Sequence, residues 1–276
     1  MIADVLSVYG SEVAPHKATA RNIAYILGSL LKWWGSKRTT DISTETCREY
    51  ARLRGGGSSA ASDLKFLHAA TAYWHGHEKF GPLAIMPKFW RPDEPPPRER
   101  WLTRSEAARL LRAAKPYQHI RRMILLGLYT GSRPGIILAL QWDQIDLRAG
   151  VLIRSRGPQS KNKKAPRVRL GRRILAHLRR WHRLDRGNGC VCHFREHPHL
   201  PPRQVADPHT AWRKVVKAAG LKDVTRHTLR HTRATWMAQK GVPLFEAAGF
   251  LGMTVRTLEK TYAHHDPEHQ ERAANI

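Results

Sequence analysis

Apolar residues recur at three- and four-residue steps over most of the chain and alternate with polar ones in one short region. The first clear run, Ala18 to Trp34, sets Ile23, Leu27, Leu30, Leu31 and Trp34 at helical spacing, predicting an amphipathic helix that Gly35 stops. A second helix is predicted from Thr44 to Leu53, ended by Arg54-Gly55-Gly56-Gly57, and a third from Ala60 to His75 with Leu64, Leu67, Ala70 and Trp74 on one face. Together these make a small helical domain over residues 1–90. Pro95, Pro96 and Pro97 then enforce an extended, stiff connector over residues 91–99, and the domain boundary is placed there.

The second domain, residues 100–276, opens with Thr103 and Glu106 spaced as a capping box ahead of Ala107, Leu110 and Leu111. Pro116 separates that helix from one carrying Ile120, Met123, Ile124 and Gly127, which ends near Gly131. Arg133 follows between glycine-containing turns, just before a short apolar helix. Val151 to Arg154 and Arg167 to Leu170 read as the strands of a β-hairpin whose long loop crowds Lys161, Lys163 and Lys164 at its tip. Further helices run through Ile174, Leu178 and Trp181 and through Trp212, Val215 and Val216. The expected class is mainly α with a small β-hairpin or sheet, an α+β arrangement.

The closing stretch, Val224 to His265, concentrates the reactive side chains. On a helix from His227 to Lys240, Leu229, Arg233, Trp236 and Met237 share one side, and His227, Arg230, His231 and Ala234 share the other. One stripe is expected to face the core and the other to face a ligand. Gly241 is placed to end this helix, and Thr254 to cap a later one with Val255, Leu258 and Tyr262 on a common face.

Charge narrows the partners. Lys and Arg number 48 against 22 Asp and Glu, a formal net charge of +26. That excess implies a polyanion, nucleic acid before anionic membrane. No run approaches the roughly 18 apolar residues of a spanning helix, since Lys32 breaks the nearest candidate, Ile23 to Trp34. The start, MIADVLSVYGSE, lacks the basic-then-apolar build of a secretory signal, so a cytoplasmic, nucleoid-associated prokaryotic protein is expected. The cysteines, Cys47, Cys190 and Cys192, form no disulfide framework. In CVCHFREHPH, Cys190, Cys192, His193, His197 and His199 could be zinc ligands. The Cys-x-Cys pair lacks the usual structural-zinc spacing, and the segment reads as a polar loop with no metal.

Several stretches, in order, resemble the tyrosine recombinase (phage integrase) family: Thr130-Gly131-Ser132-Arg133 with the following Leu-Ala-Leu-x-Trp, Ser160-Lys161-Asn162 on the hairpin, His227-Thr228-Leu229-Arg230-His231, Leu251-Gly252, and Thr261-Tyr262-Ala263-His264. Residues 1–90 resemble the family's helical core-binding domain more loosely, through Cys47-Arg48-Glu49-Tyr50. The resemblance implies a site-specific recombinase of a prophage or mobile element. It would act as a tetramer on attachment-type duplexes and rejoin DNA through a 3′-phosphotyrosyl link, with no cofactor. It implies Tyr262 as nucleophile, Arg133 and Arg230 as phosphate clamps and Lys161 as proton donor. His227 is implied to bind the phosphate or take the tyrosine's proton, with His231 ranked behind it. A guanidinium fork suits phosphate because it matches two oxygens at once and neutralises charge built in the transition state.

Two positions depart from the family pattern. Met253 stands where a histidine or tryptophan usually follows Leu-Gly, and its thioether cannot donate a hydrogen bond. Ile136 stands where an acidic residue commonly lies three positions after the first arginine, with His264 or His265 as alternative sources of a missing group. Two other readings follow: a catalytically impaired, DNA-binding integrase remnant, motivated by these departures, and an unrelated basic RNA-binding protein, motivated by the charge alone.

Overall fold

The computed structural model describes residues 1–93, 100–154, 167–187, 189–194, 203–262 and 274. The chain divides into two units, Met1–Pro97 and Arg98–Ile276. Residues 94–99 of the expected connector lie outside the described residues.

Among the described residues the first unit holds four α-helices: α1 (Ile2–Glu12), α2 (Ala20–Trp34), α3 (Thr44–Leu53) and α4 (Gly57–His75). Its core gathers Leu6, Ile23, Leu30, Trp34, Leu64 and Leu67; of the predicted stripes, Leu31 stays 42% exposed and Trp74 packs only at the core's edge. The sequence reading did not anticipate α1, which buries Ile2, Val5, Leu6 and Tyr9 against α2 and α4. Ser43 caps α3 by accepting the amide of Thr46. The fourth helix begins three residues before the expected Ala60, after Gly55 and Gly56 turn the chain at φ of 78° and 66°, a region glycine enters without steric cost. Asp63, 2% exposed, joins α4 to α3 by accepting from Tyr50 Oη and Arg54 Nε, both at 2.8 Å.

The second unit runs α5 (Arg104–Ala113), α6 (Gln118–Thr130), α7 (Pro134–Ala139), β1 (Ile145–Asp146), β2 (Val151–Ile153), β3 (Arg167–Arg169), α8 (Arg172–Asp185), β4 (His193–Phe194), β5 (Arg203–Gln204), α9 (His209–Ala218), α10 (Thr228–Ala238), α11 (Leu244–Leu251) and α12 (Val255–Tyr262). The Thr103 and Glu106 box closes as predicted: Thr103 Oγ1 accepts from the Glu106 amide at 3.2 Å, and Glu106 accepts from the Thr103 amide at 2.9 Å. Arg100 also bonds Glu106, and this holds its carboxyl down at about 2. The predicted hairpin is the antiparallel pair β2–β3, to which β1 adds an edge not foreseen, in the order β1-β2-β3. Its tip, with Ser160, Lys161, Asn162, Lys163 and Lys164, lies outside the described residues.

At the centre, α6 packs on α10. They approach closely because α6 offers Gly127, where an added Cβ would lie 2.8 Å from Leu229 Cδ1. Ile120, Met123, Ile124, Trp212 and Val215 build the main core around this contact. A smaller cluster joins Ala234 and Met237 of α10 to Ala248 and Leu251 of α11 and to Leu258 and Tyr262 of α12.

The segment from Cys190 is not a polar loop. Cys190, Val191 and Cys192 are buried, and the Val191 amide bonds Leu140 O at 2.8 Å. Beneath it Asp185 accepts from Arg122 Nη1 at 2.5 Å and from Trp142 Nε1 at 3.1 Å, a buried ion pair that needs this cover. Burial pushes the Cys192 thiol up to about 12, which keeps it protonated. Among the described residues no group of three or more His, Cys, Asp or Glu could hold a metal, and His197 and His199 lie outside them. Among the described residues no helix is long and apolar enough to cross a membrane.

Candidate active site

Arg133 is the residue before the first turn of α7. Pro134 follows it and excludes it from the helical region, so it sits extended at φ −63° and ψ 144°, with its side chain exposed. The turn before it is fixed by Gly131, at φ +62°, whose place beside Leu251 and Arg233 leaves no room for a Cβ.

Arg230 lies in the first turn of α10 and is 8% exposed. Its Nη1 donates to Gly131 O and to Leu251 O, both at 2.7 Å, so one guanidinium holds the Arg133 turn against the end of α11. Burial, then the charge of Arg133, draws its pKa down to about 10. His227 stands at the N-terminal end of the same helix, its side chain making no capping bond, and is exposed; burial of part of its ring, then the charges of Arg230, Arg226 and Arg133, lowers its pKa. Arg133, His227 and Arg230 thus share one local field, with both arginines acting on the histidine.

The expected ligand-facing stripe of α10 is mostly buried. Ala234 is 1% exposed, and the helix is enclosed on nearly all sides because α6 covers one face while α11 and α12 cover another. Only His227 on that stripe is exposed.

Tyr262 ends α12 and is 5% exposed. Val255 does not share its face, being 38% exposed; Leu258 and Tyr262 alone turn inward. The Tyr262 hydroxyl lies 2.5 Å from His231 Nδ1, not beside His227. His231, ranked second by sequence, is therefore the histidine in contact with the tyrosine. Burial raises the Tyr262 hydroxyl to about 12 against the opposing pull of Arg230, and burial lowers the His231 ring. Both groups are neutral at neutral pH, which suits a hydrogen bond in which the hydroxyl donates.

Met253 follows Gly252, which ends α11 at φ +66°. It is partly buried against the α10–α12 cluster, and its amide donates to Ala248 O at 3.1 Å. The side chain is thus held by packing and brings no donor. Lys161, His264 and His265 lie outside the described residues.

Sequence reasoning missed Arg154, which directly follows β2 and is 5% exposed. Its Nε bonds Ser132 Oγ at 3.0 Å, its Nη2 bonds Thr130 O at 2.6 Å and its Nη1 bonds Phe250 O at 2.8 Å. The signal was in the strand period: Leu152 is buried, so Arg154, two positions on, shares its inward face.

An arginine-rich site beside a tyrosine near the end of a helical domain is the build of a tyrosine recombinase. The chain belongs to the phage integrase family, whose model matches residues 100–269. It is 31% identical over 180 residues to the integrase of Salmonella phage P22, a match covering 62% of this chain and 45% of that protein. It is 27% identical over 267 residues to the tyrosine recombinase XerA of Thermococcus kodakarensis, covering 94% of this chain and 88% of that one. The chain therefore spans under half the length of the P22 integrase. Among solved structures, the Tn1549 transposon integrase in complex with transposon right end DNA superposes with a TM-score of 0.77 at 16% identity, over 99% of this chain and 98% of that one. A lambda integrase dimer bound to a COC′ core site gives 0.70 at 18% identity, over 94% of each chain.

Proposed function

We propose that this chain is a site-specific DNA strand transferase that cuts and rejoins duplex DNA through a 3′-phosphotyrosyl intermediate. The observation that carries it is the Tyr262 hydroxyl, set against His231 in the field of Arg230 on the helix that also bears His227. Tyr262 Oη attacks the phosphorus, the bond to the 5′ oxygen breaks, and Lys161 protonates that oxygen. Arg133 and Arg230 take the non-bridging oxygens, whose charge grows in the transition state. His231 accepts the tyrosine's proton and His227 donates to the phosphate. A 5′ hydroxyl from another strand then reverses the attack, so the bond energy is kept and the balance needs neither ATP nor metal. Residues 1–90 bind the duplex alongside the catalytic residues of 100–276, and four copies bring two attachment-type sites together. The net charge of +26 supports a duplex partner bound through its phosphates.

The test is covalent capture on a nicked duplex selected by binding from a random-sequence pool. The unaltered chain forms a denaturant-resistant adduct and Tyr262→Phe forms none. An adduct that survives Tyr262→Phe overturns the assignment. The Met253 side chain, which brings no donor, favours a second reading, a protein that binds DNA without cutting it. Salt-steep binding with no adduct from the unaltered chain selects that reading.

A further inference from the structure

Arg154 and Arg230 divide two pairs of consecutive carbonyls between them. At the end of α6 and the turn after it, Thr130 O accepts from Arg154 and Gly131 O from Arg230. At the end of α11, Phe250 O accepts from Arg154 and Leu251 O from Arg230. The two guanidiniums are parallel straps between the turn that leads into Arg133 and the turn that leads into Met253. Arg154 adds a bond to Ser132 Oγ, the residue next to Arg133. Among the described residues the acceptors of Arg154, namely Ser132 Oγ, Thr130 O and Phe250 O, are all neutral, and the side chain is buried in the field of two further arginines. A buried cation with neutral partners alone is unfavourable, and an anion arriving nearby relieves it.

From this geometry we infer that Arg154 is a positioning residue for the phosphate site, fixing the backbone on which Arg133 sits and adding a third positive charge behind it. It supplies what Ile136 does not. Where the family pattern has a carboxylate three positions after the first arginine, here the arginine-bearing turn is gripped from behind by a fork spanning three acceptors. Lysine cannot replace that fork, because one ammonium on a flexible stem cannot reach Nε, Nη1 and Nη2 positions together. A merely structural strap would support the fold but not the charge of the phosphate.

The inference rests on the strand-transfer reading above, and the experiment separates the two. Single-turnover cleavage by the full chain is measured for Arg154→Gln and Arg154→Lys on duplexes with either a phosphodiester or a neutral methylphosphonate at the scissile position. Both variants should cleave the phosphodiester about 100-fold more slowly, the scale of losing one oriented donor. On the methylphosphonate, which lacks the non-bridging charge, the loss in Arg154→Gln should shrink at least about fivefold, whereas the loss in Arg154→Lys, which keeps its charge and lacks only the fork, should not. Equal losses of Arg154→Gln on both substrates, or phosphodiester cleavage by either variant within about threefold of the unaltered chain, overturn the inference. If the unaltered chain forms no adduct, the strand-transfer reading fails, and thermal unfolding in inorganic phosphate tests Arg154 alone. Phosphate-induced stabilisation should fall in Arg154→Gln to the level of Arg133→Ala, and full retention of it overturns the inference.

Discussion

Replacing His231 with alanine asks how Tyr262 loses its proton. Burial holds the hydroxyl at about 12, so forming the phenolate at neutral pH lies about 5 pKa units uphill, or about 7 kcal/mol at about 1.36 kcal/mol per unit. A residue this buried gains little help from solvent, and Arg230 offsets only part of the cost. A positioned base can recover about 100- to 10,000-fold of such a barrier, and His231 Nδ1 at 2.5 Å is in place to do so. Burial also lowers the His231 ring, so the unprotonated form dominates above its depressed pKa. The cleavage rate of the unaltered chain should therefore rise with pH through a value below the ordinary histidine range and then level off. In His231→Ala the rate should be about 100-fold or more lower at neutral pH and should keep rising about tenfold per pH unit, as hydroxide must take the proton. Covalent capture under single-turnover conditions across the pH range measures both. A variant within about threefold of the unaltered chain at neutral pH, with the same plateau, would refute the assignment of His231 as base. The linked stability effect has a definite sign: a ring held below its unfolded pKa binds fewer protons when folded, so this contribution is lost as pH falls through the ordinary histidine value near 6.5.

Three other outcomes are expected. Asp185→Asn leaves Arg122 buried without its carboxylate and should lower unfolding free energy by about 3–5 kcal/mol, read by chemical denaturation, with a change under about 1 kcal/mol counting against the buried pair. Gly127→Ala drives a methyl toward Leu229; overpacking of about 1–3 kcal/mol exceeds the gain in helix propensity of about 1 kcal/mol, so the midpoint should fall, and a rise would show that the two helices can separate freely. Met253→His introduces the missing donor and should speed cleavage about tenfold or more; an unchanged rate would mean that this position does not reach the phosphate.

Most helices were legible because each has a dry side and a wet side, and that contrast writes a 3.6-residue period. Where the contrast disappears, so does the signal. On α10, Thr232 and Thr235 are 0% and 1% exposed, and Thr232 satisfies its hydroxyl by donating to Thr228 O and accepting the Leu102 amide. The second stripe was read as open because Arg230 and His231 look like surface in sequence, yet Arg230 satisfies its guanidinium on Gly131 O and Leu251 O and His231 meets the Tyr262 hydroxyl. Arg154 was hidden the same way, its charge marking it as exposed although its strand position pointed inward. The first helix was missed because its stripe is interleaved with Ser7, Val8 and Gly10 at the start of the chain, and its burial depends on α2 and α4. The positions of Arg133, Arg230 and Tyr262 were legible from motif order; that Tyr262 would meet His231 required the packing of α12 on α10.

That packing rests on very little. The α12 helix has 8 residues and buries only Leu258 and Tyr262, and a helix so short is not stable alone in water. Arg154 and Arg230, by contrast, are tied into backbone turns at the heart of the unit. The two parts of the candidate site therefore differ in mechanical security: Arg154 and Arg230 each bridge two backbone turns, whereas Tyr262 is held by the apolar contact of one short helix and a single hydrogen bond to His231.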